Sequence, residues 1–211
     1  RDKLPGVMVP STIEFTTELE TALSGAELVV CAVPSPFVRS TMKSASPYIK
    51  EGTIVVDVAK GIEDKTYKTM TEIIGEECPQ ARLGILSGPS HAEEVSIGIP
   101  TALVIASKDE YVKRVVMDNF KSKTLRIYSS TDIKGVELGG ALKNIIAFCA
   151  GISVGLELGD NTFAALITTF TSVSISLSRT DKFDFKYFFN LSYLSPISSS
   201  PTNTFFVVLF I

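Results

Sequence analysis

The chain has 211 residues, 45% of them hydrophobic, with a formal net charge of -3 and a pI near 5.3. That length and apolar content suit one domain and part of another, while the weakly acidic balance offers no long-range attraction to nucleic acid or anionic membranes. Cys31, Cys78 and Cys149 are widely spaced and His91 is the single histidine, which fits neither a disulfide framework nor a zinc site and points to a reducing cytosol and metal-free chemistry.

The charged start Arg1-Asp2-Lys3, followed by Pro5 and Gly6, is not a secretory signal, and without an initiating methionine the true start is expected upstream. No apolar run approaches the ~18 residues of a membrane span, so none is expected. From residue 27 to 125, short apolar runs alternate with amphipathic stretches. The runs are 27–33, 53–58, 83–87 and 101–106, and the intervening segments 16–23, 37–46, 66–74 and 110–120 read as helices. Runs apolar on both faces, separated by helix-length segments, predict a mostly parallel sheet covered on both sides, an α/β fold.

Ligands of an open parallel sheet sit beyond the carboxyl ends of its strands, and three loops fall there. Val33-Pro34-Ser35-Pro36-Phe37 offers an aromatic face for a flat ring. Asp57-Val58-Ala59-Lys60-Gly61-Ile62 puts a cation at a strand end, although Lys60 taken alone reads as an ordinary exposed lysine. In Leu86-Ser87-Gly88-Pro89-Ser90-His91-Ala92-Glu93-Glu94, Ser90 precedes Glu93 by three residues, a capping-box signature that opens a helix and can serve capping alone. Its functional reading is that the first N–H groups of that helix face the crevice. His91 reads as a helix-terminus residue.

Ser129-Ser130-Thr131-Asp132 is a turn and helix-capping cluster that places a domain boundary near 130, after which the pattern is helical to about Phe170. The segment Gly135-Val136-Glu137-Leu138-Gly139-Gly140-Ala141-Leu142-Lys143-Asn144-Ile145-Ile146-Ala147 is the most informative in the chain. A helix-interior glycine costs about 1 kcal/mol relative to alanine, so Gly139-Gly140 suggests close approach of a backbone or ligand. At helical spacing Gly140, Lys143, Asn144, Ala147 and Gly151 share a small and polar stripe that reads as the wall of a site. Lys143 in that wall is expected to lose part of its solvation and exchange protons near neutral pH. The competing reading is a lysine whose head reaches water beside a glycine-mediated helix contact.

After Phe170 the composition changes. Residues 171–211 hold no glycine, alanine or glutamate, and serine and phenylalanine dominate. No periodicity persists, so this tail is expected to be foreign to the fold.

Together, Ala32-Val33-Pro34-Ser35, Val58-Ala59-Lys60-Gly61-Ile62, the 86–95 loop, Gly135 to Asn144, and Gly159-Asp160-Asn161-Thr162 through Thr168 resemble the NAD(P)-dependent glycerol-3-phosphate dehydrogenase family in its bacterial form. The resemblance runs from about residue 4 to 168. It implies a Rossmann-like nucleotide domain, here its later part (1–130), followed by the first helices of an all-helical substrate domain (131–170), with 171–211 outside the family fold. It implies an oxidoreductase that uses NAD or NADP to interconvert dihydroxyacetone phosphate and sn-glycerol 3-phosphate in the cytoplasm, supplying the phospholipid backbone. A homodimer is an expectation for a full-length parent. Lys143 matches the family's proton-exchanging lysine. Lys60, Gly88, Ser90, Lys143 and Asn144 match substrate-contacting positions, and Pro34, Phe37, Lys60 and Ala92 fall near the cofactor.

These 211 residues contain no Gly-x-Gly-x-x-Gly turn, and the family's downstream arginine is not matched. An incomplete, inactive fragment is therefore expected, from a frameshift or a mistaken gene boundary. Two other readings stay open: a different hydroxy-acid dehydrogenase of the same superfamily, and a non-catalytic remnant or interaction module.

Overall fold

A computed structural model of the chain describes residues 7–8 and 10–177. Five strands, β1 (Leu28–Cys31), β2 (Ile54–Asp57), β3 (Arg82–Ser87), β4 (Thr101–Ala106) and β5 (Leu125–Ser130), lie side by side in chain order. Each pairs in parallel with the next except β3 with β4, which is antiparallel. The reversal has a simple cause. The connection between β3 and β4 carries only α4 (Ala92–Ser96), about one turn of helix. A parallel return needs a crossover that runs back along the strand.

Every residue of β1 and β2 is buried, as strands covered on both faces must be. The pleat sends alternate side chains to opposite sides. Val29, Cys31 and Val55 join α1 (Leu19–Leu23), α2 (Val38–Ala45) and α3 (Met70–Glu77) in one core. Leu28, Ile54, Val56 and Ile105 pack with Val112 and Val116 of α5 (Glu110–Phe120) on the other face. The fold is the mostly parallel α/β architecture that the pattern predicts, Rossmann-like as the resemblance implies.

All four apolar runs are strands, and the fifth strand covers a stretch left without an element in the sequence pattern together with the first two residues of the Ser129–Asp132 turn and cap cluster. In β5 only Ile127 is buried. An edge strand packed on one side presents too little apolar signal to be read from composition. The third helix starts at Met70, later than residue 66, because Ile62 bridges Thr69 and Thr69 forms the real capping box with Glu72, whose carboxylate accepts the Thr69 N–H at 2.9 Å. Arg39 of α2 clamps the intervening loop by pairing with Glu63 at 2.6 Å, and it also reaches Glu77 and Glu76 of α3 at 2.7 and 3.0 Å.

Asp132 caps α6 (Ile133–Gly155) by accepting the Gly135 N–H at 2.8 Å, and α6 packs along α7 (Gly159–Leu177) and against β3. α7 therefore continues past Phe170, where loss of periodicity suggested the helix would end. No glycine or proline interrupts residues 171–177, so no strong breaker stops a helix that is already propagating from α7's earlier turns. The rest of the tail, 178–211, lies outside the described residues. By length and composition alone, α6, 23 residues with an 18-residue stretch of mean hydropathy 1.5, is long and apolar enough to cross a membrane. The sequence reading counted uninterrupted apolar runs, which Glu137 and Lys143 break.

Candidate functional site

The carboxyl ends of β1, β2 and β3 and the first three turns of α6 meet at one place. After β1, Pro34 leads a short 3-10 turn, Ser35–Phe37, and Phe37 is 58% exposed. After β2, Gly61 passes so close to Ser35 that a Cβ there would lie 2.5 Å from the serine Cβ and Oγ. The first two strand-end loops thus interlock, and glycine is required at the crossing.

Lys60 is half-buried and its Nζ donates to Ser90 Oγ at 3.3 Å. Ser90 Oγ in turn donates to the Gly88 carbonyl at 3.4 Å. Gly88 has φ +150° and a Cβ would meet the Ala102 carbonyl at 2.9 Å, so backbone conformation and space both demand glycine. α6 seats on this group through Gly140, where a Cβ would lie 2.9 Å from Ser87 Oγ and 3.4 Å from Lys60 Cγ. Gly139 meets nothing within 4 Å among the described residues. The close approach expected of the pair belongs to Gly140 alone.

Lys143 lies one turn beyond Gly140, within electrostatic reach of Lys60. Burial, and then the charge of Lys143, hold Lys60 below the ordinary lysine range. The burial expected of Lys143 is found instead at Lys60, since Lys143 and Asn144 are exposed while Lys60 is half-buried. Two neighbouring cations can stabilise negative charge placed between them, which would relieve their mutual repulsion.

The structure brings Lys60, Gly88, Ser90, Gly140 and Lys143 together. Pro34 and Phe37 stand on the adjoining loop, while Ala92 and Asn144 are exposed and reach the group only through their neighbours in the chain. The expected Ser90–Glu93 capping box does not form. His91 is the residue before α4, no side chain caps that helix, and Glu93 pairs with His91 Nδ1 at 2.9 Å. Ser90 points the other way because Lys60 and the Gly88 carbonyl hold its hydroxyl.

Three contributors escaped the sequence reading. Ser87, at the end of β3, is the surface on which Gly140 rests. Glu137, 6% exposed, accepts the Thr71 N–H at 2.7 Å and the Thr71 hydroxyl at 2.9 Å. Asp57, the last residue of β2, is fully buried with neither carboxylate oxygen hydrogen-bonded. Burial pushes its carboxyl up to about 7; the nearby Ala59 N–H, not placed to make a hydrogen bond, pulls it partway back, and Glu137 adds to the rise. The available signal was a carboxylate closing each of two otherwise apolar patterns.

Two sequence models of one family match the chain: the NAD-dependent glycerol-3-phosphate dehydrogenase N-terminus over residues 1–113 and the corresponding C-terminus over 132–202. The second match takes in much of the compositionally distinct tail. Among curated relatives, glycerol-3-phosphate dehydrogenase [NAD(P)+] of Agathobacter rectalis is 47% identical over 167 residues, 79% of this chain and 50% of that protein. The Moorella thermoacetica protein of the same name is 50% identical over 165 residues, 78% of this chain and 49% of its own length. The chain spans about half the length of the curated relatives it matches. Among solved structures, glycerol-3-phosphate dehydrogenase from Coxiella burnetii superposes with a TM-score of 0.74 at 33% identity, covering 82% of this chain and 54% of that one.

Proposed function

The chain belongs to the NAD-dependent glycerol-3-phosphate dehydrogenase family, and from that premise we propose that it carries the strand-end and lysine half of a site interconverting dihydroxyacetone phosphate and sn-glycerol 3-phosphate. The observation that carries this reading is the convergence of Lys60, Ser90 and Gly140 at the sheet ends with Lys143 beside them. In the proposed division, residues 1–130 belong to the dinucleotide-binding unit and 131–170 open the substrate unit.

The donor set suits a ketone that carries a phosphate. Reduction leaves an oxyanion, and Lys143 as an ammonium polarises the carbonyl and then gives the proton. Lys60, held by Ser90, steadies the developing charge. Gly88 admits substrate close to the backbone, and Asn144 contacts it from the next position of α6.

A dinucleotide fits these residues in part. The interlock of Gly61 with Ser35 leaves the Phe37 ring open on the rim, a flat apolar face suited to a nicotinamide or adenine ring. Pro34, Lys60 and Ala92 would flank it. When bound, the dinucleotide supplies the hydride. Work in the cytoplasm, with a product destined for glycerophospholipid, belongs to the same proposal.

The test is steady-state reduction of dihydroxyacetone phosphate with NADH and with NADPH, using the protein at the full length of its relatives. We expect turnover that Lys143→Ala lowers by at least 10²-fold in kcat, the usual contribution of a positioned general acid. Unchanged kcat in that variant would remove Lys143 from the chemistry.

A further inference from the structure

Glu137 spends a buried carboxylate on a contact that belongs to another helix. Thr71 is in the first turn of α3, where backbone N–H groups have no partner within their own helix. Glu137 of α6 accepts that N–H at 2.7 Å and the Thr71 hydroxyl at 2.9 Å. An anion at a helix N-terminus is also favoured by the helix dipole. The contact has a cost, because burial raises the Glu137 carboxyl above its ordinary range while the bonds from Thr71 and Thr69 pull it back. The charged groups facing Glu137 are Glu72 of α3 and Asp57 of β2, both acidic, so no cation among the described residues explains its burial.

Position explains it. Glu137, Gly140 and Lys143 follow one another at three-residue spacing and so share a face of α6. Gly140 sets how near α6 comes to Ser87 and Lys60, but a glycine with no side chain cannot fix rotation about the helix axis. Two directed hydrogen bonds one turn earlier can. We propose that Glu137 is a positioning residue that caps α3 from α6 and thereby sets the rotation of α6, holding Lys143 over Lys60.

The inference rests on reading Lys60 and Lys143 as one site, and it is testable in the 211-residue chain without turnover. The readout is the pH dependence of Lys60 acetylation by trace acetic anhydride, followed by peptide mass spectrometry at micromolar concentration, with folding checked by circular dichroism. In the unaltered chain the Lys60 midpoint should lie below the ordinary lysine value. Glu137→Ala should raise it, because α6 turns and carries Lys143 away. Glu137→Gln, whose amide oxygen can still accept the Thr71 N–H and whose NH2 can donate to the Thr71 hydroxyl, should hold it near the starting value.

Lys143→Met should raise the midpoint with Glu137 intact. Lys143→Met combined with Glu137→Ala should then match Lys143→Met alone, since a residue acting through Lys143 has nothing further to move. A folded Glu137→Ala chain with an unchanged midpoint overturns the proposal, as does a double variant whose effects add. Should Glu137→Ala not fold, Thr71→Ala, which removes only the hydroxyl donor, must raise the midpoint in the same direction, and an unchanged value overturns the proposal. If Lys143→Met itself has no effect, the two lysines are not one site and the inference falls with that reading.

Discussion

At the scale of single residues, the two lysines differ in what surrounds them, and substitution should separate their roles. Lys143→Arg keeps a positive charge but cannot release a proton near neutral pH. In the full-length protein we expect it to recover little of the kcat lost in Lys143→Ala, and near-normal turnover would make Lys143 a charge anchor instead of an acid. Asp57 gives a prediction about stability. Its carboxyl stands near 7 in the folded chain and near 3.9 when unfolded. Between those values the folded state binds the extra proton, so stability is greatest below the lower value and is lost as pH rises through about 7. Glu137, also raised by burial, acts in the same direction. Glu63 acts oppositely, since its hydrogen bond with Arg39, and then that with Thr66, holds its carboxyl down at about 2. Its contribution is present above the unfolded value near 4.3 and lost only as pH falls through about 2. Urea unfolding at pH 5 and pH 8 should therefore find the chain more stable at pH 5, by an amount of order a few kcal/mol. Asp57→Asn should flatten that difference, and an unaltered slope would refute the assignment.

At the scale of elements, adjacent glycines of α6 should respond in opposite directions. Gly139 meets nothing among the described residues, so Gly139→Ala should stabilise by up to about 1 kcal/mol through helix propensity. Gly140→Ala gains the same propensity but drives a Cβ to 2.9 Å from the buried Ser87 Oγ. Overpacking of that kind costs about 1–3 kcal/mol, so we expect no net gain and a shift of α6 from β3. Differential scanning calorimetry of the two variants checks this, and equal rises in Tm would show that α6 does not rest on β3 through Gly140. The two Ser/Thr-x-x-Glu patterns carry a related lesson. Thr69-x-x-Glu72 caps α3, whereas Ser90-x-x-Glu93 caps nothing because Ser90 is held by Lys60 and Gly88. Local spacing is the same in both, and a lysine thirty residues away in sequence decides between them.

At the scale of the whole molecule, Phe148, Val154 and Leu156 are 70%, 69% and 64% exposed, an unusually apolar surface for the helices that carry it. This surface should make the 211-residue chain self-associate at rising concentration. Sedimentation velocity should show this, and Phe148→Lys should reduce it; a monomer at all concentrations would contradict the expectation. The same chain contains no Gly-x-Gly-x-x-Gly turn, the backbone cradle that neutralises a pyrophosphate. Contacts from Phe37 and Lys60 must each offset the freedom lost on binding. We expect no micromolar affinity for NADH or NADPH by calorimetry on this polypeptide, and measurable tight binding would overturn that view.

What the sequence determined by itself was whatever is encoded locally or in short words. Four strands announced themselves because Leu28–Cys31, Ile54–Asp57 and their successors are apolar on both faces, and α5 because its apolar period and its Asp109 cap lie within one segment. Family membership was legible in five short words, since each keeps residue types that the backbone or the chemistry requires. The tertiary structure decided what depends on contacts between distant residues. β5 is a strand only because β4 offers an edge. Lys60, and not Lys143, is the half-buried cation because Ser90 and α6 close over it. Glu137 is a cap for a helix 66 residues away. Burial, rotation of a helix and the partner of a hydroxyl are set by which surfaces meet, and no periodicity within a segment records that.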